Sequence, residues 1–311
     1  MRLTLLHNPT AGEEDHDRAE LEAMLAGAGH DVSYQSLKDD DWLQALVDDV
    51  DLIVVAGGDG SVRKLFTAVG ASPTLTLIVP LGSANNIART LGLDFESAIG
   101  MLTEGAQRVR RPFDVWDVMS TWGTSRCVEA VGGGLFSRVL AKADDAPADP
   151  SGSDKVDFGL QLLAESLADA VPLRWRLEID GERIEEELIG VEAMNIREIG
   201  ANLLLAPTGD PSDHLLEVVL VTPEDRSALA TYVAARLDDE EPTPSPLTVR
   251  RGRHVVLEPP RDARLHVDDV LPAWDLSSTA RVEIVAADVT LDVLVPQPAS
   301  RSRSSDSSSS D

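Results

Sequence analysis

The first hundred residues alternate between two kinds of block. Short apolar runs at 3–6, 52–56 and 75–79 are separated by stretches in which apolar side chains recur every three or four positions. A run that is apolar at every position suits a strand covered on both faces, and three-to-four spacing suits a helix with one buried stripe. Residues 17–28 carry Leu21, Met24, Leu25 and Ala28 at helical spacing. Residues 31–36 read as a strand after the breaker Gly29, and residues 62–69 place Leu65, Phe66 and Val69 on one helix face. Further short helices are predicted over 41–47, 86–91 and 95–102. This alternation predicts an open parallel α/β sheet with helices on both faces.

The pattern changes near Pro112. Strands are predicted over 113–119, 127–131, 174–179, 183–189, 215–221, 254–258, 264–267, 281–285 and 289–295, with Asp180-Gly181 as a two-residue hairpin turn. Helices are predicted over 156–170 and 223–237, and Pro-rich acidic loops over 144–154 and 238–246. The expected fold is therefore α/β plus all-β. A nucleotide-binding domain spans 1–115, and a β-sandwich substrate domain spans 116–295, its last strand free to return to the first domain. The serine-rich tail 296–311 carries too little apolar surface to order itself.

Charge narrows the function classes. The formal net charge is -27, with lysine only at Lys38, Lys64, Lys142 and Lys155. This excludes a nucleic-acid partner, which needs clustered Lys and Arg, and argues against strong attraction to anionic head groups. The one basic cluster, Arg250-Arg251-Gly252-Arg253, reads as a solvated turn, with a phosphate or head-group contact as the alternative. No apolar run approaches the roughly 18 residues of a membrane span. Met1-Arg2 leads straight into a strand without a signal-peptide pattern, and Cys127 is the lone cysteine. Together these predict a cytoplasmic chain that would meet a membrane only at its surface; a homodimer is left open.

Three loops carry candidate chemistry, each at the C-terminal end of a predicted strand: Asn8-Pro9-Thr10-Ala11-Gly12, Gly57-Gly58-Asp59-Gly60-Ser61, and Pro80-Leu81-Gly82-Ser83-Ala84-Asn85-Asn86. Ligands of open α/β sheets bind at those strand ends. Glycines there let backbone amides converge on a phosphate, and the following helix adds the positive end of its dipole. Any one of these loops alone is ordinary turn chemistry; their succession is not. Neither G-x-x-x-x-G-K-[ST] nor G-x-G-x-x-G is present. Asp59, a carboxylate inside a phosphate cradle, calls for a role with a proton or a metal ion.

The segments 7–12, 56–61 and 80–89 resemble, in order and spacing, the diacylglycerol kinase catalytic-domain family of bacterial lipid kinases and sphingosine kinases, which shares Gly-Gly-Asp-Gly with NAD kinases. The resemblance implies ATP as phosphate donor, Mg²⁺, and a lipid hydroxyl such as that of diacylglycerol as acceptor. It implies nucleotide contacts from Asn8, Gly57, Gly58, Asp59, Gly60, Ser61, Val62, Arg63, Gly82, Ser83 and Asn85, with Ser36 a weaker candidate. Asp213 would hold Mg²⁺ with backbone carbonyls of Asp210 and Leu215, although His214 stands at a usual glycine. The family often carries Asp-Gly-Glu with the glutamate as proton acceptor, where this chain reads Asp268-Asp269-Val270. Asp59, assisted by Asp268 or Asp269, is the expected substitute, against a plain hairpin turn at Asp268-Asp269. Trp116, Trp122, Phe136 and Trp175 are candidates to line an apolar cleft, against ordinary core. The alternatives are an NAD or other small-molecule kinase, and a nucleotide-binding homologue weakened by Val270.

Overall fold

The computed structural model describes residues 1–12, 16–43, 46, 50–69, 75–103, 106–147, 150, 153–238, 240, 242, 247–261, 263–273 and 280–297. The expected serine-rich tail, apart from its first two residues, and part of the expected helix at 41–47 lie outside them. The first half runs β1 (Arg2–His7), α1 (Arg18–Gly27), β2 (Asp31–Ser36), β3 (Leu52–Gly57), α2 (Asp59–Ala68), β4 (Leu75–Pro80), α3 (Asn86–Thr90) and α4 (Phe95–Gly100). The four strands are parallel in the order β2-β1-β3-β4. All six residues of β3 are buried, as an apolar run covered on both faces requires. Asp17 starts α1 by accepting the backbone N–H of Glu20, and Asp94 with Ser97 forms a reciprocal cap on α4.

The second half runs β5 (Arg108–Ser120), β6 (Gly123–Cys127), β7 (Ala130–Gly134), α5 (Leu135–Asp144), α6 (Ser153–Ala168), β8 (Leu173–Ile179), β9 (Glu182–Leu188), β10 (Gly190–Met194), β11 (Glu198–Ile199), β12 (Leu203–Leu204), β13 (Leu216–Val221), α7 (Arg226–Leu237), β14 (Thr248–Gly252), β15 (His254–Glu258), β16 (Leu265–Val267) and β17 (Val282–Pro296). The antiparallel sheet β14-β13-β10-β7-β16 forms one layer of a sandwich. The other layer is the far end of the first sheet: β15, β8 and β9, with β5 and β6 on the opposite side of β17. Trp116 and Trp175 are wholly buried in the cluster shared by the two layers, so they are core and not cleft lining; Trp122 packs at its margin. Helices α5, α6 and α7 contribute to a further apolar cluster with Ala130, Val219 and Val221 of the second sheet.

The two halves share β17. Its first part pairs with β15, and Val293 pairs in parallel with Thr76 of β4. Along its length it runs antiparallel to β5, with a register break between Ala286 and Thr290. The sequence suggested two strands here, and the break is where the pattern changes phase. An ion pair also ties the halves, Arg89 to Glu198 at 2.6 Å, while Arg111 of β5 pairs with Asp210 at 2.6 Å within the second half. At the expected hairpin, Asp180 and Gly181 take φ of 49° and 87° between β8 and β9, positive at both central positions as such a turn demands. The basic cluster lies mainly in β14, where Arg251 pairs with Asp213 and Glu217, rather than in a free turn.

Candidate active site

The ends of β1, β3 and β4 stand side by side, so the three loops that follow them converge. Gly58 and Gly82 make the closest approach: a Cβ on Gly82 would lie 2.5 Å from the Cα of Gly58. A Cβ on Gly57 would fall 2.3 Å from Ser61 Oγ. Glycine at these positions is therefore a steric requirement. Asn8 donates from its side chain to Ser61 Oγ at 3.3 Å, joining the first loop to the second. Within the third loop, Asn85 takes the left-handed conformation (φ 52°) while its Oδ1 accepts the Gly82 N–H at 2.9 Å.

Asp59 begins α2, but its carboxylate turns onto α3. It accepts the backbone N–H groups of Asn86 at 2.9 Å and Ile87 at 3.0 Å. Burial pushes its pKa up, the charge of Asp269 adds to the rise, and the amide bonds oppose it. The expected catalytic carboxylate is thus the clamp between two phosphate-type loops, with its oxygens engaged by backbone.

Asp268 is more completely committed. Its carboxylate accepts N–H bonds from Val128 (3.2 Å), Glu129 (2.8 Å) and Ala130 (3.2 Å), and the Cys127 thiol donates at 3.0 Å. Asp268-Asp269 forms a tight turn closed by reciprocal Val267 and Val270 backbone bonds, with Asp268 at φ 51°. Behind it, His266 Nδ1 donates to the Asp268 carbonyl at 2.8 Å, and Nε2 faces Glu192 at 2.9 Å. Burial disfavours the charged ring, but Glu192 outweighs it and holds the imidazole above its ordinary value. A Cβ on Gly132 would lie 2.0 Å from the Glu192 carboxylate, so that glycine makes room for the pair. Asp269 is exposed and pairs with Arg63 at 2.8 Å. Val270 is 46% exposed and lies off the cavity that Asp268 and Asp269 line.

A cavity of about 1050 Å³ joins these parts. One end is walled by Asn8, Gly58, Asp59, Gly60, Ser61, Gly82 and Ser83, with Lys38 and Lys64 at the margin. Glu129, Asp268, Asp269 and His266 stand on its wall as well. The other end is apolar: Phe136, Val139 and Leu140 of α5, Val156, Leu162 and Leu163 of α6, then Ile199 and Leu203 of the β11–β12 hairpin. Of the residues expected to touch nucleotide, Gly57, Val62, Arg63, Asn85 and Ser36 do not line it. Val62 is core, and Ser36 Oγ accepts the Lys38 N–H. Of the aromatic candidates, Phe136 alone reaches the cavity.

Glu129 was not singled out from sequence. It is flanked by Val128 and Ala130 within a strand-like run, and nothing in its neighbours sets it apart. An acidic residue in such a run was the available signal, because a buried carboxylate demands a reason.

The expected Mg²⁺ site lies elsewhere. Arg111 and Ser212 engage the Asp210 carboxylate, while Arg251 and the Leu215 N–H engage that of Asp213. Asp210 lies below its ordinary value: burial pulls it upward, but the Ser212 and Arg111 contacts outweigh that. His214 supports the loop in a left-handed conformation (φ 59°), its backbone N–H and ring both held by Asp114. Arg251 thus already neutralises the Asp213 carboxylate, the one charged ligand of the expected set. Among the described residues, no group of three or more His, Cys, Asp and Glu side chains is placed to hold a metal ion.

A parallel sheet with glycine loops at its strand ends, a β-sandwich behind it and a cavity lined by both sets of residues define an α/β domain joined to an antiparallel β-sandwich. Residues 2–118 match the model of the diacylglycerol kinase catalytic domain, and residues 129–273 match that of the YegS C-terminal NAD kinase beta sandwich-like domain. The chain belongs to the diacylglycerol kinase catalytic-domain family. It is 24% identical to a diacylglycerol kinase of Mycobacterium tuberculosis, with 95% of this chain and 96% of that one aligned. It is 28% identical to a YegS-like protein of Pseudomonas aeruginosa named as a probable lipid kinase, over 72% of this chain and 73% of the other. A solved structure described as a diacylglycerol kinase from Bacillus anthracis superposes with a TM-score of 0.67 at 18% identity, covering 96% of this chain and 97% of that one. That likeness establishes the shared fold.

Proposed function

We propose that the chain is an ATP-dependent lipid kinase that transfers the γ-phosphate of ATP to the hydroxyl of diacylglycerol or a related lipid. The observation that carries this reading is the continuity of the cavity from the glycine loops to the apolar wall of α5 and α6. Phosphoryl transfer asks a protein for in-line positioning and charge stabilisation. The free amides at the start of α2, beside Gly58 and Gly60, would receive the phosphates, with Asn8, Ser61 and Ser83 around them. Asp59 would keep the third loop in register through Asn86 and Ile87. ATP would arrive as its Mg²⁺ complex, the ion coming with the nucleotide. The acyl chains would lie against Phe136, Leu140 and Leu163 while the hydroxyl points back toward the phosphates. No helix among the described residues is long and apolar enough to cross a membrane, so the lipid would be taken up at a bilayer surface.

The test is incubation of the full chain with γ-radiolabelled ATP, Mg²⁺ and vesicles carrying a panel of lipid alcohols. Label is expected in a lipid phosphate. Label in NADP from added NAD, with none in lipid, would favour the small-molecule reading; bound ATP without turnover would favour a binding protein.

A further inference from the structure

Four carboxylates that act on one another electrostatically line the cavity, and their partners differ. Those of Asp59 and Asp268 are held by backbone amides, and Asp269 has Arg63. Glu129 is only 8% exposed, yet its carboxylate has neither a hydrogen bond nor an ion pair among the described residues. Its backbone is held on both sides: its N–H donates to Asp268, and its carbonyl accepts the Asn195 N–H at 2.8 Å. The residue is thus fixed while its acid group is left with open lone pairs on the cavity wall. It lines the cavity that also holds the glycine loops, it feels the charge of Asp59 at the head of α2, and the adjacent Ala130 packs in the apolar cluster of α5 and α6, so a terminal phosphate and a lipid hydroxyl would meet near it. A buried, unpaired carboxyl costs stability, and a cleft is where such a cost is tolerated for chemistry.

We infer that Glu129 is the proton acceptor of the transfer, an assignment that rests on the lipid-kinase reading above. The acceptor hydroxyl oxygen bonds to the γ-phosphorus. The bond from that phosphorus to the β,γ-bridging oxygen breaks, and its electron pair leaves on ADP. The hydroxyl proton passes to a Glu129 carboxylate oxygen and is released to water when the lipid phosphate departs, which restores the base. The charged groups that act on Glu129 are Asp59 and Arg63 from α2 and Asp268 and Asp269 from the turn after β16. Burial first, then the three aspartates, push its pKa well above 4.5, and Arg63 opposes them. A base raised toward the working pH can both accept and return a proton.

The experiment uses the full chain, MgATP and phosphatidylcholine vesicles containing diacylglycerol, or whichever lipid the panel identifies. Glu129→Gln is expected to lower kcat about 100-fold or more, with an unchanged ATP KM and a native circular-dichroism spectrum; Glu129→Asp should recover part of the loss. The wild-type kcat should fall on the acid side with an inflection above the ordinary glutamate value, a limb missing from the residual activity of Glu129→Gln. A folded Glu129→Gln chain with wild-type kcat and pH profile overturns the assignment alone. Should Glu129→Gln fail to fold, a wild-type profile flat down to the ordinary glutamate value does the same. A wild-type chain that labels no lipid overturns the kinase reading, and the assignment with it.

Discussion

Gly58 and Gly82 lie back to back across two loops, and neither position can carry a side chain without moving the other: a Cβ on Gly58 would sit 3.0 Å from the Cα of Gly82. The contact sets the spacing of the amides on either side. Gly82→Ala should force the loops apart, costing about 1–3 kcal/mol of stability. ATP affinity should drop about 10-fold or more, because positioning is what the loops supply. Isothermal titration together with a denaturant melt separates the two effects. An alanine variant that binds ATP as wild type does would show that the loops are not the phosphate site.

Asp268→Ala removes the acceptor shared by three buried N–H groups. Leaving such donors without partners costs about 1–3 kcal/mol each before relaxation. The variant should lose about 3 kcal/mol or more in urea unfolding, whatever its effect on turnover. A loss below about 1 kcal/mol would mean that water or another group takes over those amides.

The same cluster predicts how stability depends on pH. Asp59, Glu129 and Asp268 all have folded pKa values raised above their ordinary ones, chiefly by burial. The folded chain therefore holds protons that the unfolded chain releases. This contribution is complete below about pH 4 and is lost as pH rises through the raised folded values. The melting temperature should consequently fall as pH rises from mildly acidic to alkaline. Glu129→Gln removes one of the titrating groups, so the variant should decline less steeply. Parallel slopes for the two proteins in calorimetry would contradict the assigned direction.

At the apolar end, Leu140 lines the cavity from α5 and is only half-buried. Leu140→Trp should fill that branch without touching the glycine loops. The expected result is a lipid KM raised about 10-fold with an unaltered ATP KM, a split that marks the branch as the acceptor side. Equal effects on both constants would point instead to a global change.

The first sheet was legible because β1, β3 and β4 are largely apolar runs that empty into glycine-bearing loops, two signals that do not depend on distant contacts. Much of the sandwich was legible too, down to the turn at Asp180-Gly181. What escaped was decided by tertiary contact. Residues 190–194 include Glu192 and were not read as a strand, since only the buried His266 partner makes that acid tolerable there. The strand Thr248–Gly252 hid behind its arginines; Arg251 is tolerated there because it pairs with Asp213 and Glu217, in or just before the neighbouring strand β13. In the site, Asp59 and Asp268 were visible as unusual carboxylates. Their commitment to backbone amides was not, because it depends on where α3 and β7 come to rest. Glu129 was missed for the converse reason: its significance lies in the partners it lacks.

The strand order carries a consequence for biosynthesis. Residues 2–80 supply four strands of the first sheet, yet the edge of β4 receives Val293, and β17 brings β5 with it. A ribosome must therefore translate more than 200 residues beyond β4, as far as Val293, before that strand has its final neighbour. Until then the nascent chain exposes an unpaired, apolar strand edge, which makes this half a client for chaperones and a poor candidate for expression as an isolated fragment.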